Sequence, residues 1–567
     1  MSQSNYKSPG NKKKKSLKPL SQRYTLTNSI VNYFLVVAFA IFPLYVNITI
    51  RGAFPFISLA DGFRGIRHQK YYFFVIMAAA ALIAEIMLLI TKTSEQKKEA
   101  DPKKQNLLKT ITFTDWAVIA FVLSCSISTV FSPYIDMAVT GSTLVGGRDN
   151  GLILMLFYAA VYFLITRCYR YKEYVFLALA GTNAFIYLIA VLNGFYLDPL
   201  GTLETFNRSD SENQFFYMNF LSTIGNKNMF ASHICVTLPA ITAMFVHTEK
   251  LVNKIVYLAS AALGAMAVVI CDSDSVVLGM GAFIAVFTVV YSRRPEKMKK
   301  FLLALTAMLL SIKLLRFFSY LGGDGYKELS AIPYKVMLSD KTFVVIAVLA
   351  ALTALAYYLS FRHADFVLPK AVPIALASLF SLAALAGVGV IVYYSAFDTT
   401  TDLGELEKTL RFSDAWGTHR GIFWDRAIRI FGERSFFQKL FGSGPETFYY
   451  AFEPFFPELW EYGDGKTDAA HNEYINYLIT IGIAGLASYL TFTGSALVRV
   501  FRSAKQNPLA LVFAAPVVAY LAQAVVNIAV PIATPIFVIF VALCETAARQ
   551  TKEVREPEYQ TRKSNRR

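Results

Sequence analysis

The sequence predicts an all-α, polytopic transmembrane helical bundle of about 14 helices, with one large extracytoplasmic loop that carries short helices. Of 567 residues, 55% are hydrophobic and 17% charged, and the mean hydropathy is +0.44. Soluble domains carry about 25% charged residues. The apolar residues form runs close to the ~20 residues that a helix needs to cross a bilayer, and short polar clusters separate these runs.

The predicted elements follow in order along the chain. A cytoplasmic basic tail, residues 1–28, precedes an apolar run that is longer than a signal-peptide core, so we expect this run to be retained as an anchor. Four further regions are predicted: a bundle of about 11 helices at 29–394, the loop at 395–473, C-terminal helices at 474–547, and a cytoplasmic basic tail at 548–567. The predicted spans are 29–50, 71–91, 113–131, 151–168, 174–195, 229–246, 255–271, 276–292, 301–317, 342–361, 371–394, 474–498, 509–528 and 530–547.

The distribution of basic residues predicts the topology. The net charge is +16, and its densest runs, such as Lys12–Lys15 and Arg293–Lys300, flank apolar segments without interleaved aromatic residues. This pattern indicates cytoplasmic loops with some attraction to anionic lipid. It does not favour a nucleic-acid partner. Both termini are therefore expected in the cytoplasm. The loops predicted on that side are 92–110, 169–173, 247–254, 293–300, 362–370 and 499–508.

The long loop at 395–473 holds most of the candidate chemistry. Apolar and basic residues alternate at helical spacing over 418–433, which predicts a short helix near the membrane interface. Arg420, Trp424 and Arg426 lie in this helix, and an external arginine can hold a phosphate by two parallel hydrogen bonds. Contact with lipid headgroups is the alternative interpretation of these arginines. Gly442-Ser443-Gly444-Pro445 indicates a turn.

The end of the loop gives the strongest constellation, His471-Asn472-Glu473-Tyr474, directly before an apolar helix. A histidine at a helix start can exchange a proton near neutral pH or donate to an anionic oxygen, although an ordinary interfacial side chain is the alternative. Gly482 and Gly485 are expected to share one helical face and to admit a neighbouring helix.

Three further polar motifs precede predicted spans. Arg148 lies in Gly146-Gly147-Arg148-Asp149-Asn150-Gly151. Asn226 and Asn228 flank Lys227, where amides bind sugar hydroxyls or, more commonly, cap the helix. Asp272-Ser273-Asp274-Ser275 is explained by turn chemistry. No zinc-ligand spacing or nucleotide loop is present, so no metal or cofactor is predicted.

The ordered set of these motifs resembles the O-antigen ligase and lipid-linked polysaccharide polymerase superfamily, over roughly residues 130–490. His471-Asn472 followed by Gly482-Ile483-Ala484-Gly485 resembles its histidine signature, and Gly225-Asn226-Lys227-Asn228 its Gly-Asn-x-Asn motif. Gly147-Arg148 with Gly151, Arg420 with Trp424, and the Gly442–Pro445 turn are similar to its remaining pieces. One departure is that Asp274 stands where the family commonly has arginine, which puts substrate binding in doubt.

The resemblance implies a metal-independent glycan transferase in a bacterial cytoplasmic membrane, acting at its outer face. The donor would be a glycan on undecaprenyl pyrophosphate, and the acceptor a hydroxyl of another glycan or lipid-linked saccharide. Arg420 and Arg148 would stabilise charge on the leaving diphosphate, and His471 would accept or orient the hydroxyl proton. Asn226, Asn228, Asn472, Trp424 and Arg426 are the other candidate substrate-binding residues.

Other classes of protein remain open from the sequence. A transporter or flippase for lipid-linked sugars or small solutes would use charges within the membrane, and Glu85 and Lys313 are the clearest candidates. A membrane scaffold that has lost activity is a third possibility. Polymerase is slightly favoured over ligase, whereas the sugar, linkage and oligomeric state are not predicted.

Overall fold

The computed structural model describes residues 22–46, 63–90, 111–142, 148–202, 220–322, 329–363, 366–462 and 465–564. Among the sequence features discussed above, Lys12–Lys15, the basic loop at 92–110 and Gly146-Gly147 lie outside these residues. The described chain is all-α apart from one antiparallel pair, Phe220–Leu221 with Gly225–Asn226.

The helices of the first half mostly coincide with predicted spans. The first ends in a π-helical turn, Val37–Ile41. In order they are α1 Gln22–Val36, α2 Phe63–Ile90, α3 Phe113–Val130, α4 Ile135–Thr140, α5 Leu152–Cys168, α6 Glu173–Gly194, α7 Lys227–His247, α8 Leu251–Ile270, α9 Ser275–Tyr291, α10 Pro295–Gly322 and α11 Ile332–Leu338.

The second half contains two long helices, a run of short ones and then the C-terminal helices. The last helix extends through most of the segment predicted as a tail. In order they are α12 Lys341–Arg362, α13 Ala371–Ala396, α14 Glu407–Leu410, α15 Trp416–Glu433, α16 Phe436–Phe441, α17 Phe448–Phe452, α18 Phe456–Glu461, α19 Glu473–Thr480, α20 Gly482–Ser503, α21 Ala510–Gln523 and α22 Thr534–Ser564.

Nine helices within the described residues are long and apolar enough to cross a membrane, and four shorter apolar helices accompany them. Together with α22, they overlap all fourteen predicted spans. The predicted all-α polytopic fold is therefore confirmed. Its long apolar helices satisfy their own backbone hydrogen bonds, as a hydrocarbon environment requires.

Helix α7 forms the centre of the bundle. Every residue from Met229 to Val246 is buried, and α7 packs against α8, α9 and α21. In contrast, α13 has no buried residue and lies at the periphery beside α9. Helix α7 is therefore central in the bundle, whereas α13 is peripheral.

The predicted span at 474–498 is wrong as a single helix. It is divided at Ile481 into α19 and α20. Gly482 has φ +69°, and a Cβ there would lie 2.4 Å from the Leu440 carbonyl carbon. The break is held by the N–H groups of Ser443 and Gly444, which donate to the Thr480 carbonyl at 3.1 and 2.8 Å. Gly482 begins α20, three residues before Gly485, and its lack of a Cβ admits Leu440 and Phe441 of α16, as expected for a close helix contact. The left-handed φ of Gly482, which accompanies the break, was not predicted.

The loop at 395–473 is folded and has its own apolar core. The predicted helix at 418–433 is confirmed by α15, although Gly417, Thr418 and His419 interrupt its first turn with left-handed backbone conformations. Four short helices of the loop, α14 and α16 to α18, precede and follow it in the chain. The core residues are Ile422, Phe423, Ala427, Phe448, Tyr449, Phe452, Phe456, Leu459, Ala470 and Ile479.

Candidate functional site

The segment before His471 is held on two sides. Arg148, at the entrance to α5, donates from Nη2 to the Asp468 carbonyl at 2.5 Å. On the other side, the Trp424 indole of α15 donates to the Ala470 carbonyl at 3.0 Å. Residues 468–471 therefore lie between the start of α5 and the loop helix that carries Arg420.

The imidazole of His471 packs against α15. Its ring is stacked on Phe423, with the ring centroids 5.4 Å apart. The backbone of His471 has φ +49°, a left-handed conformation that is uncommon for residues other than glycine. This conformation directs the chain from the 468–471 segment into α19, whose first turn is capped by Asn472. The Asn472 side-chain oxygen accepts hydrogen bonds from the N–H groups of Tyr474 and Ile475 at 3.0 and 3.1 Å.

Arg420 is half-buried one turn before Trp424. It donates from Nη1 to the Gly417 carbonyl at 2.5 Å and from Nε to the Val526 carbonyl at 3.1 Å. Burial lowers the pKa of the Arg420 guanidinium, and the negative charge of Asp274 opposes this effect. An arginine keeps its charge under such a shift, so Arg420 is a positioned cation. Within the described residues, its Nη2 makes no hydrogen bond.

The segment at 526–529, between α21 and α22, links the starts of α5 and α7 to this arginine. Val526 accepts the Arg420 bond, whereas Asn527 donates from Nδ2 to the Asn228 carbonyl at 2.8 Å. Asn150 donates to the Ala529 carbonyl at 2.9 Å. The starts of α5 and α7 and the end of α21 therefore meet at one end of the bundle, beneath α15.

The Asn226-Lys227-Asn228 motif caps α7 and reaches the turn before α9. Asn226 accepts from the Asn228 N–H at 2.8 Å, which confirms its predicted capping role. The Asn228 side chain accepts from the Ser273 hydroxyl at 2.8 Å. The ammonium group of Lys227 lies 3.4 Å from the Asp272 carboxylate. Binding of sugar hydroxyls by Asn226 or Asn228 stays a prediction.

Asp272 and Asp274 hold a second segment at this end of the bundle. Asp272 accepts from the N–H groups of Ser330 and Ala331, both at 2.9 Å, and Asp274 accepts from that of Ile332 at 2.7 Å. The acceptor-only chemistry of a carboxylate suits this arrangement. The two aspartates therefore anchor the start of α11.

Arg148, predicted at the external start of a helix, is a buried side chain beside two carboxylates. It is 1% exposed, and its Nε lies 3.3 Å from Glu446 and 3.6 Å from Asp468. Burial lowers its pKa, but Glu446 and Asp468 outweigh this effect and raise it. Arg426 is also occupied by carboxylates, those of Asp414, Asp425 and Glu458. The contact of either arginine with substrate remains a prediction.

The sequence assigned no role to the carboxylates of Glu446, Asp468 and Glu473 near Arg148. Burial raises the pKa of Glu446 to about 7 against the opposing effect of Arg148. Glu473 accepts from the Tyr489 hydroxyl at 2.7 Å and the Tyr520 hydroxyl at 3.0 Å. Arg148, Glu446 and Glu473 line a cavity of about 10 Å³, about the smallest accessible space that can hold one water.

Left-handed backbone conformations of residues other than glycine recur in the segments that form this site. Such conformations cost about 1–3 kcal/mol each and persist where the surrounding contacts hold them. They often accompany functional geometry. The residues concerned in these segments are Asp149, Asp272, Thr418, His419, Glu446 and His471.

The fold and this site define a multi-pass helical membrane protein with a polar centre at one end of its bundle. Residues 334–490 match the family model described as O-antigen ligase. The resemblance to the O-antigen ligase superfamily is thereby confirmed over a segment that includes Arg420, Trp424 and His471. Arg148, Asn226 and Asn228 lie outside the matched residues. A search of curated proteins gave no match.

Proposed function

We propose that the protein is a glycan transferase that moves a glycan from undecaprenyl pyrophosphate to an acceptor hydroxyl, at the outer face of a bacterial cytoplasmic membrane. The family match supports a membrane ligase or polymerase, and the donor and acceptor are our extension of it. Polymerase is the favoured form. The observation that carries the proposal is that α15 supports both Arg420 and the His471 ring.

The proposed reaction is a single displacement at the anomeric carbon of the donor sugar. The acceptor hydroxyl oxygen attacks this carbon, the bond from the carbon to the diphosphate oxygen breaks, and the electron pair leaves with the prenyl diphosphate. The hydroxyl proton passes to the His471 imidazole, which later releases it to water. Arg420 stabilises the charge that develops on the diphosphate. A guanidinium supplies this charge without a metal ion.

The buried charges have a positioning role in this scheme. Arg148 binds the carbonyl and carboxylate of Asp468 and the carboxylate of Glu446. We assign it the task of fixing the segment that carries His471, rather than direct contact with diphosphate. Arg426 similarly ties α15 to the rest of the loop. Lys227, 38% exposed beside Asp272, is a candidate for the cationic role that Asp274 cannot fill.

Substitution of the two proposed catalytic residues tests the function. His471→Ala and Arg420→Ala should each reduce surface polymer by about 100-fold or more at normal expression, since general acid–base and electrostatic contributions have that size. The matched controls are His363→Ala, in another loop, and Arg429→Ala, which is 59% exposed on the same helix as Arg420. Controls should retain polymer of normal length. Wild-type polymer from both His471→Ala and Arg420→Ala cells would refute the assignment.

The contacts of the two charges that suggested transport do not favour that function. Glu85 accepts a hydrogen bond from Thr27 at 2.9 Å. Lys313 donates to the carbonyls of Met337 and Ser339 at 2.8 and 2.5 Å. Each charged side chain therefore forms hydrogen bonds between two segments of the bundle. Uptake of a labelled solute into vesicles that depends on Glu85 or Lys313 would favour transport instead.

A further inference from the structure

A cavity of about 900 Å³ lies at the opposite end of the bundle from the candidate site. It is bounded by α9, α13, the end of α20 and the start of α21. Helix α9 has its first residue beside Asp274 and its last residue, Tyr291, in the cavity wall. Its 17 residues rise about 25 Å. The cavity is therefore separate from the site proposed for transfer.

The wall of the cavity divides into an apolar part and a cationic part. Val286, Val290, Ala377, Phe380 and Leu511 are among the apolar lining residues. The peripheral position of α13, which buries none of its side chains in the protein, places the apolar wall beside the hydrocarbon of the bilayer. The cavity thus has the amphipathic character of a lipid site.

The cationic part consists of Arg293, Arg294, Lys297 and Lys505. Among the lining residues that the structure describes, none is an aspartate or a glutamate. Two carboxylates act electrostatically on Lys297, those of Glu249 and Glu296. Their salt bridges are made elsewhere, Glu296 with Lys299 and Lys300, and Glu249 with Lys254 and Lys300. Among the residues that the structure describes, none of the four lining cations forms a salt bridge.

We propose that this cavity binds an anionic phospholipid, with its phosphate on Arg293, Arg294, Lys297 and Lys505 and its acyl chains between α9 and α13. Four cations at one end of an apolar groove complement a lipid that has one negative headgroup and two hydrocarbon chains. Basic pockets between helices on the cytoplasmic side suit such lipids. The excess of Lys and Arg also predicts that this end of the bundle faces the cytoplasm.

The affinity for phosphatidylglycerol tests this proposal directly. The full-length protein in detergent is titrated with phosphatidylglycerol or with neutral phosphatidylcholine while its Tm is followed. A ligand that binds the folded state raises the Tm, so phosphatidylglycerol should raise it and phosphatidylcholine should not. The double variant R294Q/K505Q should need about 30-fold more phosphatidylglycerol for half of the shift, since each of the two cations contributes about 1 kcal/mol near a lipid surface and about 1.4 kcal/mol is a factor of ten.

Two double variants serve as controls. R362Q/R502Q removes the same charge from exposed positions outside the cavity lining and should behave as wild type. R294K/K505R keeps both charges and should retain the shift. An undiminished response of R294Q/K505Q, or an equal shift with inorganic phosphate or phosphatidylcholine, would overturn the proposal. Displacement of phosphatidylglycerol by an equal concentration of polyprenyl phosphate would overturn the choice of lipid.

Discussion

At the scale of single residues, the buried carboxyl group of Glu446 makes the stability of the protein depend on pH. Its pKa is raised to about 7 by burial, from an ordinary value of 4.5. Between these two values the folded protein binds a proton that the unfolded chain has released. Stability therefore falls as pH rises from about 4.5 through about 7. Arg148 contacts both Glu446 and Asp468, which places the titrating group beside the segment that carries His471.

Glu446→Gln should remove this part of the pH dependence, because an amide does not titrate in this range. We expect the Tm of the wild type to fall more steeply from pH 5 to pH 7.5 than that of Glu446→Gln. The exposed substitution Glu433→Gln should keep the wild-type slope and serves as the control. Equal slopes in wild type and Glu446→Gln would show that Glu446 does not hold the extra proton.

At the scale of helices, the break between α19 and α20 is held by contacts with the Gly442 turn. The Gly442 turn and the Gly482 break approach so closely that a Cβ on either glycine would overlap backbone atoms of the other segment. Arg434 adds a hydrogen bond to the Ile479 carbonyl and another to the Ser443 hydroxyl at 3.0 Å. The turn therefore supports the end of α19 opposite to His471.

Gly482→Ala should destabilise the protein by about 2–4 kcal/mol, as a sum of left-handed strain and overpacking. Gly494→Ala provides the matched control on the same helix, because a Cβ at Gly494 would meet no atom within 4 Å. The control should be neutral or slightly stabilising, since alanine favours a helix over glycine. Thermal unfolding of both variants measures the difference. A Gly482→Ala protein as stable as Gly494→Ala would contradict the tight approach at this break.

The spans, the loop helix and the position of the histidine motif were predictable from sequence because hydropathy and helical periodicity are local signals. The break at Ile481 was not, since its cause is the backbone of Leu440 and of the Gly442 turn. The carboxylate partners of Arg148 were missed for a similar reason. Arg148 and Asp468 are 320 positions apart, and no local pattern connects them.

At the scale of the whole molecule, the two ends of the bundle differ in their chemistry. One end gathers the starts of α5, α7 and α9 around the segments that carry Arg420 and His471. The other end presents a cationic, partly apolar cavity. This polarity agrees with a cytoplasmic basic face and an outer site of transfer. It also allows binding at the two ends to be measured separately.

The central claim is that His471 and Arg420 act on a prenyl diphosphate-linked glycan, and its most direct measurement uses purified protein in vesicles. Glycan transfer and release of prenyl diphosphate are followed together. We predict one diphosphate released per glycosidic bond formed, with both rates reduced about 100-fold in His471→Ala and unchanged in His363→Ala. Transfer by His471→Ala at the wild-type rate, or glycan transfer without release of prenyl diphosphate, would contradict the account.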